Sequence, residues 1–357
     1  MLTKPHNMNL KQLFTGLLIC ALLSPTLCLQ AQNPADNPGD YISAIYKARG
    51  DMDTKYMQYL SATAHTHRAR KVEKLRQEVL DNITESRYKT TDLPLYKGDN
   101  SLRKGSIDYI QLCYNVFSED YKKIVNMEEL AEQSVDEMQA YLLLQEKVND
   151  KLNEASDNLQ KITHDFAAKY NVNLTEDKSA LGDKMQAAGR LNEYRNAAYL
   201  AFFKCNWEDN QMVKAMNDKK VNDIEQARSA LVSYANEGLK GLDTLKPFEG
   251  DPSLVNACRK VLQFYKQTAE TDVPKLTDFY LKEEDFAKLK KSFDEKSSSD
   301  RTKDDVNAFN KAVKDINASV NSFNQTNTRV NNGRTQALND WQNEEMKFAD
   351  DHMPHYK

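Results

Sequence analysis

The chain has 357 residues, with 49 Lys and Arg against 53 Asp and Glu for a net charge of −4, and only 11 Gly and 9 Pro. A balance without basic excess argues against nucleic acid as the main partner. Long stretches rich in Glu, Lys, Ala, Gln, Leu and Asn run without a breaker, and no segment alternates with period two over the length of a strand, so the fold class is all-α.

Residues 1–31 read as an export signal that precedes the fold. Lys4 and Lys11 supply the basic region, Leu13 to Leu23 the apolar run and Ser24-Pro25 its end, with Ala31 as the cleavage residue and Met8 as a second candidate start. The apolar run is too short for a stable transmembrane helix, so the mature chain is expected not to span a membrane. Cys20 and Cys28 follow Ile19 and Leu27, where lipidation wants a small residue, which disfavours a lipid anchor. The mature chain keeps Cys113, Cys205 and Cys258. Three widely spread cysteines are not a disulfide framework, although one pair could form if helices bring two together. The expected location is the periplasm, the outer-membrane surface or the medium.

From Tyr41 onward the chain carries an internal repeat. Tyr41-Ile42-Ser43-Ala44-Ile45-Tyr46 returns 153 residues later as Tyr194 to Tyr199, and Tyr96-Lys97-Gly98-Asp99-Asn100-Ser101-Leu102 returns as Phe248 to Leu254. A third set, Val148-Asn149, Ala155, Leu159-Gln160 and Phe166-Ala167, meets Val330-Asn331, Ala337, Trp341-Gln342 and Phe348-Ala349 at a spacing of 182. Order is kept and the spacing jumps, which predicts a tandem duplication of a three-helix unit over residues 41–173 and 190–352, the second with an insertion near residues 296–325.

In each unit the first helix is expected to be long, from Tyr41 to about Arg87 and from about Leu191 to Lys240. A turn follows, and the second helix opens with capping chemistry: Asp251 with Pro252 in one unit, Asp99 or Ser101 in the other. The repeated Gly-Asp-x-Ser-Leu is read as a turn plus cap, with a binding loop as the sharper alternative. The third helix shows alternating steps of three and four through Met138, Tyr141, Gln145, Val148, Leu152, Ala155, Leu159, Ile162 and Phe166. Its counterpart runs Phe309, Val313, Ile316, Val320, Phe323, Asn327, Val330, Arg334, Ala337, Trp341, Glu344 and Phe348. Such stripes predict an elongated bundle of long helices with coiled-coil-like packing. Gly182 and Gly189 are expected to bracket a break between units.

Three seam residues, Asn327, Arg334 and Glu344, are polar where the first unit has Gln145, Leu152 and Ile162. They either fix register or form a ligand layer, and each needs a partner on another helix. A basic run in the first helix offers Arg68, Arg70, Lys71, Lys74 and Arg76 to an anionic surface, against the commoner reading of a solvated helix face. His65 and His67 are two residues apart on a helix and cannot grip one metal from one face. His164, His352 and His355 are isolated, no nucleophile signature or phosphate-binding Gly-rich loop is present, and no Glu-x-x-His pair recurs in both halves. Neither a cofactor, a metal nor an enzymatic activity is therefore expected.

The opening Tyr41-x-x-Ala44-x-Tyr46 and the stretch from Tyr56-Met57-Gln58-Tyr59-Leu60-Ser61-Ala62 to Arg70-Lys71-Val72-Glu73-Lys74-Leu75-Arg76 resemble uncharacterised exported helical surface-protein families of Gram-negative bacteria. That resemblance implies a secreted helical body and no particular activity. The expected function is a non-enzymatic envelope or surface scaffold acting on an envelope protein or glycan, with self-association through helix seams as a further expectation. The alternative is a periplasmic binding protein that holds a small or lipidic ligand between helices.

Overall fold

The computed structural model describes residues 36–65, 69–120, 127, 130–174 and 180–356. The export-signal reading, with Cys20 and Cys28, and one member of the basic run, Arg68, together with His67, lie outside the described residues. In chain order come α1 (Pro38–His65), α2 (Ala69–Asp92), α3 (Ser101–Asn115), α4 (Val135–Lys169), α5 (Ala180–Asn217), α6 (Val221–Thr244), α7 (Ser253–Gln267), α8 (Val273–Asp294) and α9 (Lys303–His352). A π-helical turn follows α3 (Val116–Asp120) and another follows α7 (Thr268–Asp272). Among the described residues there is no strand, so the protein is all-α, and no helix is long and apolar enough to cross a membrane.

The expected long first helix is two helices in each half. α1 and α2 fold back on each other, with Lys55 Nζ 3.1 Å from Glu78 Oε2 and Lys89 Nζ 3.4 Å from Asp51 Oδ2, the crossed order of an antiparallel hairpin. α5 and α6 do the same, with Lys204 Nζ 2.7 Å from Glu237 Oε1. The second turn has no glycine. Lys219 takes the left-handed backbone at φ 54°, its N–H bonds the Met216 carbonyl and that of Lys220 bonds the Ala215 carbonyl, a Schellman cap made with a residue that carries a steric penalty there. α4 ends the same way at Asn171, φ 56°, where Asn is a better-tolerated choice. Gly182 and Gly189 lie inside α5 and bracket no break.

The described residues form two compact units, one built from those between 36 and Asn196 with those from Met346 onward, the other from Ala197–Glu345. In the first unit the rings of Tyr41, Tyr96 and Phe166 lie 5.5 to 5.7 Å apart at the centre of an apolar cluster with Ile42, Ile45 and Leu102. The buried stripe of α4 follows the expected seam except that Ser156 and Thr163 are buried where Ala155 and Ile162 were expected; those two are half-buried. The Thr163 hydroxyl survives burial by donating to the Leu159 carbonyl at 2.8 Å.

The second unit packs α5, α6 and α7 closely where Gly238 lies. A Cβ there would stand 2.8 Å from Leu262 Cδ1 and 3.3 Å from Ala201 Cβ, so a larger residue would require the Leu262 side chain to shift. Trp341 of α9 is buried and stacks on Phe202 of α5 at 5.0 Å. The rest of α8 packs its aromatic rings on α9: Phe279 meets Phe323 at 4.4 Å, and Phe286 and Phe293 meet Phe309 at 6.1 and 4.3 Å. The seam of this hairpin is only half-buried, and Leu281, Val306 and Val320 are exposed.

The two halves share several local features. α2 and α6 each have 24 residues and α3 and α7 each have 15, at a constant separation of 152. Both pairs are joined by the same turn, with Lys97 and Gly98 at φ 49° and 81° and Glu249 and Gly250 at φ 51° and 90°. Two successive positive φ values define a type I′ arrangement, closed by hydrogen bonds from Asp99 to the Tyr96 carbonyl at 2.8 Å and from Asp251 to the Phe248 carbonyl at 2.9 Å. In both turns the aspartate carboxylate then accepts the second following amide, Ser101 or Ser253, at 2.8 Å.

Candidate functional site

The strongest polar constellation is inside the second unit. α5 presents a stripe of Ala198, Phe202, Cys205, Asp209, Met212 and Met216 at alternating steps of four and three, all buried. A carboxylate in the middle of such a stripe must find a partner, because an unpaired buried charge costs several kcal/mol. Its partner is Arg334 of α9. The guanidinium is bidentate on Asp209, through Nε to Oδ2 and through Nη2 to Oδ1 at 3.0 Å, and its Nη1 donates to Asn331 Oδ1 at 2.6 Å. Asn331 in turn donates to Asn327 Oδ1 at 3.3 Å. One turn away, the Tyr265 hydroxyl of α7 donates to Asn206 Oδ1 at 2.9 Å.

The electrostatics follow from burial and this pairing. Asp209 is 1 % exposed and Arg334 14 %. Burial works against the guanidinium charge, and the Asp209 charge and hydrogen bonds more than offset it, so the Arg334 pKa is raised. Burial, with the Asp209 carboxylate nearby, pushes the Tyr265 phenol well above its ordinary value, so it stays protonated. A second pair closes the end of the layer: Arg329 grips Asp272, the last residue of the π turn, at 2.6 and 3.1 Å, and that carboxylate is 4 % exposed.

Asn327 and Arg334 also line a groove with Met212, Met216, Val273 and Leu276. The space is about 240 Å³ including open solvent, and no enclosed part of it would hold one water molecule. The polar side chains therefore face each other across closed packing. Glu344 is not part of the layer. It is half-buried ten residues farther along α9, about 15 Å away at the rise of an α-helix.

Of the basic run, Arg70 and Lys71 are exposed, Lys74 lies 3.5 Å from Glu78, and Arg76 is bound to Glu73 at 2.7 and 3.0 Å. Its hydrogen bonds with Arg76 hold the Glu73 carboxyl below the usual range. Carboxylates thus thread the run, and its field is weaker than the sequence of positive residues suggests. Elsewhere in the first unit, His65 contacts Asp350 Oδ1 at 2.8 Å and the Met353 carbonyl at 3.1 Å, with His355 stacked on it at 3.8 Å. Among the described residues no group of three His, Cys, Asp or Glu is placed to hold a metal.

The thiols of the second unit are not poised for chemistry. Burial raises Cys205 above its ordinary value and pushes Cys258 up to about 12. Cys258 Sγ donates to the Ala198 carbonyl at 3.3 Å, whereas Cys205 lies seven residues beyond Ala198, about 10 Å along α5. Both are free thiols, and the proximity of Cys258 adds to the rise at Cys205. Cys113 is buried in the first unit.

Sequence reasoning found Arg334 and Asn327 but missed Asp209, Asn206 and Tyr265. The available signal was Asp209 itself, an acid within a 4-3 apolar stripe, opposite in sign to the arginine within the α9 stripe. Residues 153 and 182 earlier, at the corresponding repeat positions, are Tyr56 and Leu152, so the layer belongs to the second half only. Compared with protein-family models, curated proteins and solved structures, the chain has no match, and its functional reading rests on its own residues.

Proposed function

We propose that this protein is a non-enzymatic, exported helical scaffold of the cell envelope or cell surface, built by duplication of one helical unit and acting through protein or glycan contacts. The observation that carries the reading is the α8–α9 hairpin, a long two-helix element whose apolar seam is only half-buried and whose flanks expose Leu281, Val306 and Val320. Apolar surface kept on a slender helical element suits helix-mediated recognition. The equal helix lengths, the repeated type I′ turns and the paired π turns support duplication. The buried Asp209–Arg334 pair supports a register role for the polar layer, since the Arg334 donors that a ligand would need are already engaged by Asp209 and Asn331.

The test is affinity capture of the tagged full chain after crosslinking in intact cells. The reading expects a reproducible envelope protein or glycan whose recovery falls when Val320 becomes Glu. Recovery of nothing, or of cytoplasmic proteins alone, would overturn it. Native mass spectrometry separates the binding-protein alternative: a reproducible extra mass on the purified chain would favour a lodged ligand, and the bare polypeptide mass favours the scaffold.

A further inference from the structure

The outer face of α9 between Val306 and Asn324 has a composition that its surroundings do not explain. Ile316 to Thr328 is a run of thirteen residues without a charge, in a chain of which 29 % is charged, yet Asn317, Ala318, Val320, Asn321, Ser322, Asn324 and Gln325 in it are exposed. Depletion of charge on exposed helix surface marks the centre of an interface. The run is also rich in Asn, a poor helix former, so packing must hold it in a helix that α8 covers on one side only.

Beside the α8-facing residues Phe309, Ile316 and Phe323, a second stripe runs along the helix. Val306, Asn310, Val313, Asn317, Val320 and Asn324 follow alternating steps of four and three; Val313 is half-buried and the others are exposed. This is a heptad seam with Val in one core position and Asn in the other. Its natural complement is itself. In a parallel, in-register pair each Val meets Val and each Asn meets Asn, and the amides can bond only with their own kind; an antiparallel pairing would set Asn against Val, and a parallel shift by one heptad would leave one Val and one Asn of each copy unmatched. The charges agree. Lys314 is the one charged residue flanking the stripe, and in that pairing it lies across from the partner's apolar Phe309 position, away from its own copy.

We propose that α9 is a homodimerisation helix, in which the Val306-to-Asn324 stripe pairs in parallel and in register with the same stripe of a second copy of this chain. The proposal rests on reading the α8–α9 hairpin as an interaction surface, and it names the occupant. The contact is about 27 Å long at 1.5 Å per residue, and its Asn layers favour two strands and a fixed register at a cost in affinity. The dimer is accordingly one that dissociates on dilution.

Sedimentation of the mature chain, residues 32–357, over a range of concentrations tests this. A reversible dimer is expected, with the dissociation constant raised at least about ten-fold by Val320→Glu, which sets two carboxylates against each other across the two-fold axis. Helix content by circular dichroism should be unchanged in that variant. Asn317→Cys should form an intermolecular disulfide on mild oxidation, whereas Lys311→Cys, about a third of a turn around the helix, should not; this arm holds even if Val320→Glu fails to fold. A monomer at all concentrations, a dimer indifferent to Val320→Glu, or equal crosslinking through residues 311 and 317 would each overturn the proposal. A monomer that still captures an envelope partner would sink the dimer alone; a dimer that captures none would sink the scaffold reading alone.

Discussion

Replacing Arg334 with Leu probes the feature that sets the second unit apart. The substitution strips Asp209 of a bidentate partner while leaving its carboxylate 1 % exposed, and removes the bond to Asn331. Breaking a buried pair from one side costs about 3–5 kcal/mol, because the surviving charge is left without compensation. Arg334→Leu and Asp209→Leu should each fall in that range. Exchanging both should restore stability to near the parent, since Leu at both positions can fill a site already walled by Met212 and Met216, and buried pairs replaced by apolar residues are often neutral. The coupling between the two sites should therefore exceed about 3 kcal/mol. Urea denaturation followed at 222 nm gives all three values, and the single variants should melt about 10 °C lower at ~2–4 °C per kcal/mol for a unit of this size. If Arg334→Leu costs less than about 1 kcal/mol, or if the double variant is as unstable as the two singles added, the ion pair does not align these helices and the register reading fails.

Other expectations follow from the same reasoning. Burial raises Asp53 in α1 to about 6, with Arg49 only partly opposing, so the folded state holds its proton more tightly than the unfolded chain. This favours the fold fully below about pH 4 and is lost as the pH rises through 6; Asp53→Asn should flatten that loss, a difference of up to about 3 kcal/mol between pH 4 and pH 7.5 in paired denaturation curves. Lys219→Gly should stabilise the second unit by roughly 0.5–1 kcal/mol by relieving the left-handed backbone, and a destabilised variant would show that the Lys219–Glu283 pair at 2.6 Å matters more. Gly250→Val should cost about 1–2 kcal/mol because its φ of 90° excludes a β-branched side chain, whereas Gly241→Ala, with open space around it, should be neutral or stabilising by chemical denaturation. Trp341→Ala should cost about 3–5 kcal/mol through the cavity left against Phe202, and a smaller loss would mean that the core there can collapse.

Patterns that depend on local periodicity are legible in the sequence alone. The α4 stripe, the helix starts after Asp99 and Asp251, and the lack of strand alternation all follow from side chains that act within a few residues of themselves. The α9 seam is legible as a stripe, but its exposure is not, because burial depends on whether another helix reaches it. The hairpin breaks after His65 and Asn217 have no Gly or Pro to mark them. Lys219 turns the chain without Gly or Pro, and contacts distant in sequence, the packing of α6 back onto α5 and the ion pair with Glu283, compensate a left-handed lysine. Gly182 and Gly189 mislead in the opposite direction, since surrounding contacts carry a helix through both.

The site divides in the same way. Arg334 and Asn327 stand out as polar members of an apolar repeat, and that position alone requires a partner on another helix. Which partner it would be was a tertiary matter, since Asp209 lies 125 residues away in sequence and meets the guanidinium only because α5 and α9 pack with their stripes face to face. Sequence determined helix type, caps and stripes, because those energies are local. Tertiary structure decided which stripe met which and which charge was neutralised, because burial and pairing are properties of two surfaces and are written in neither one alone.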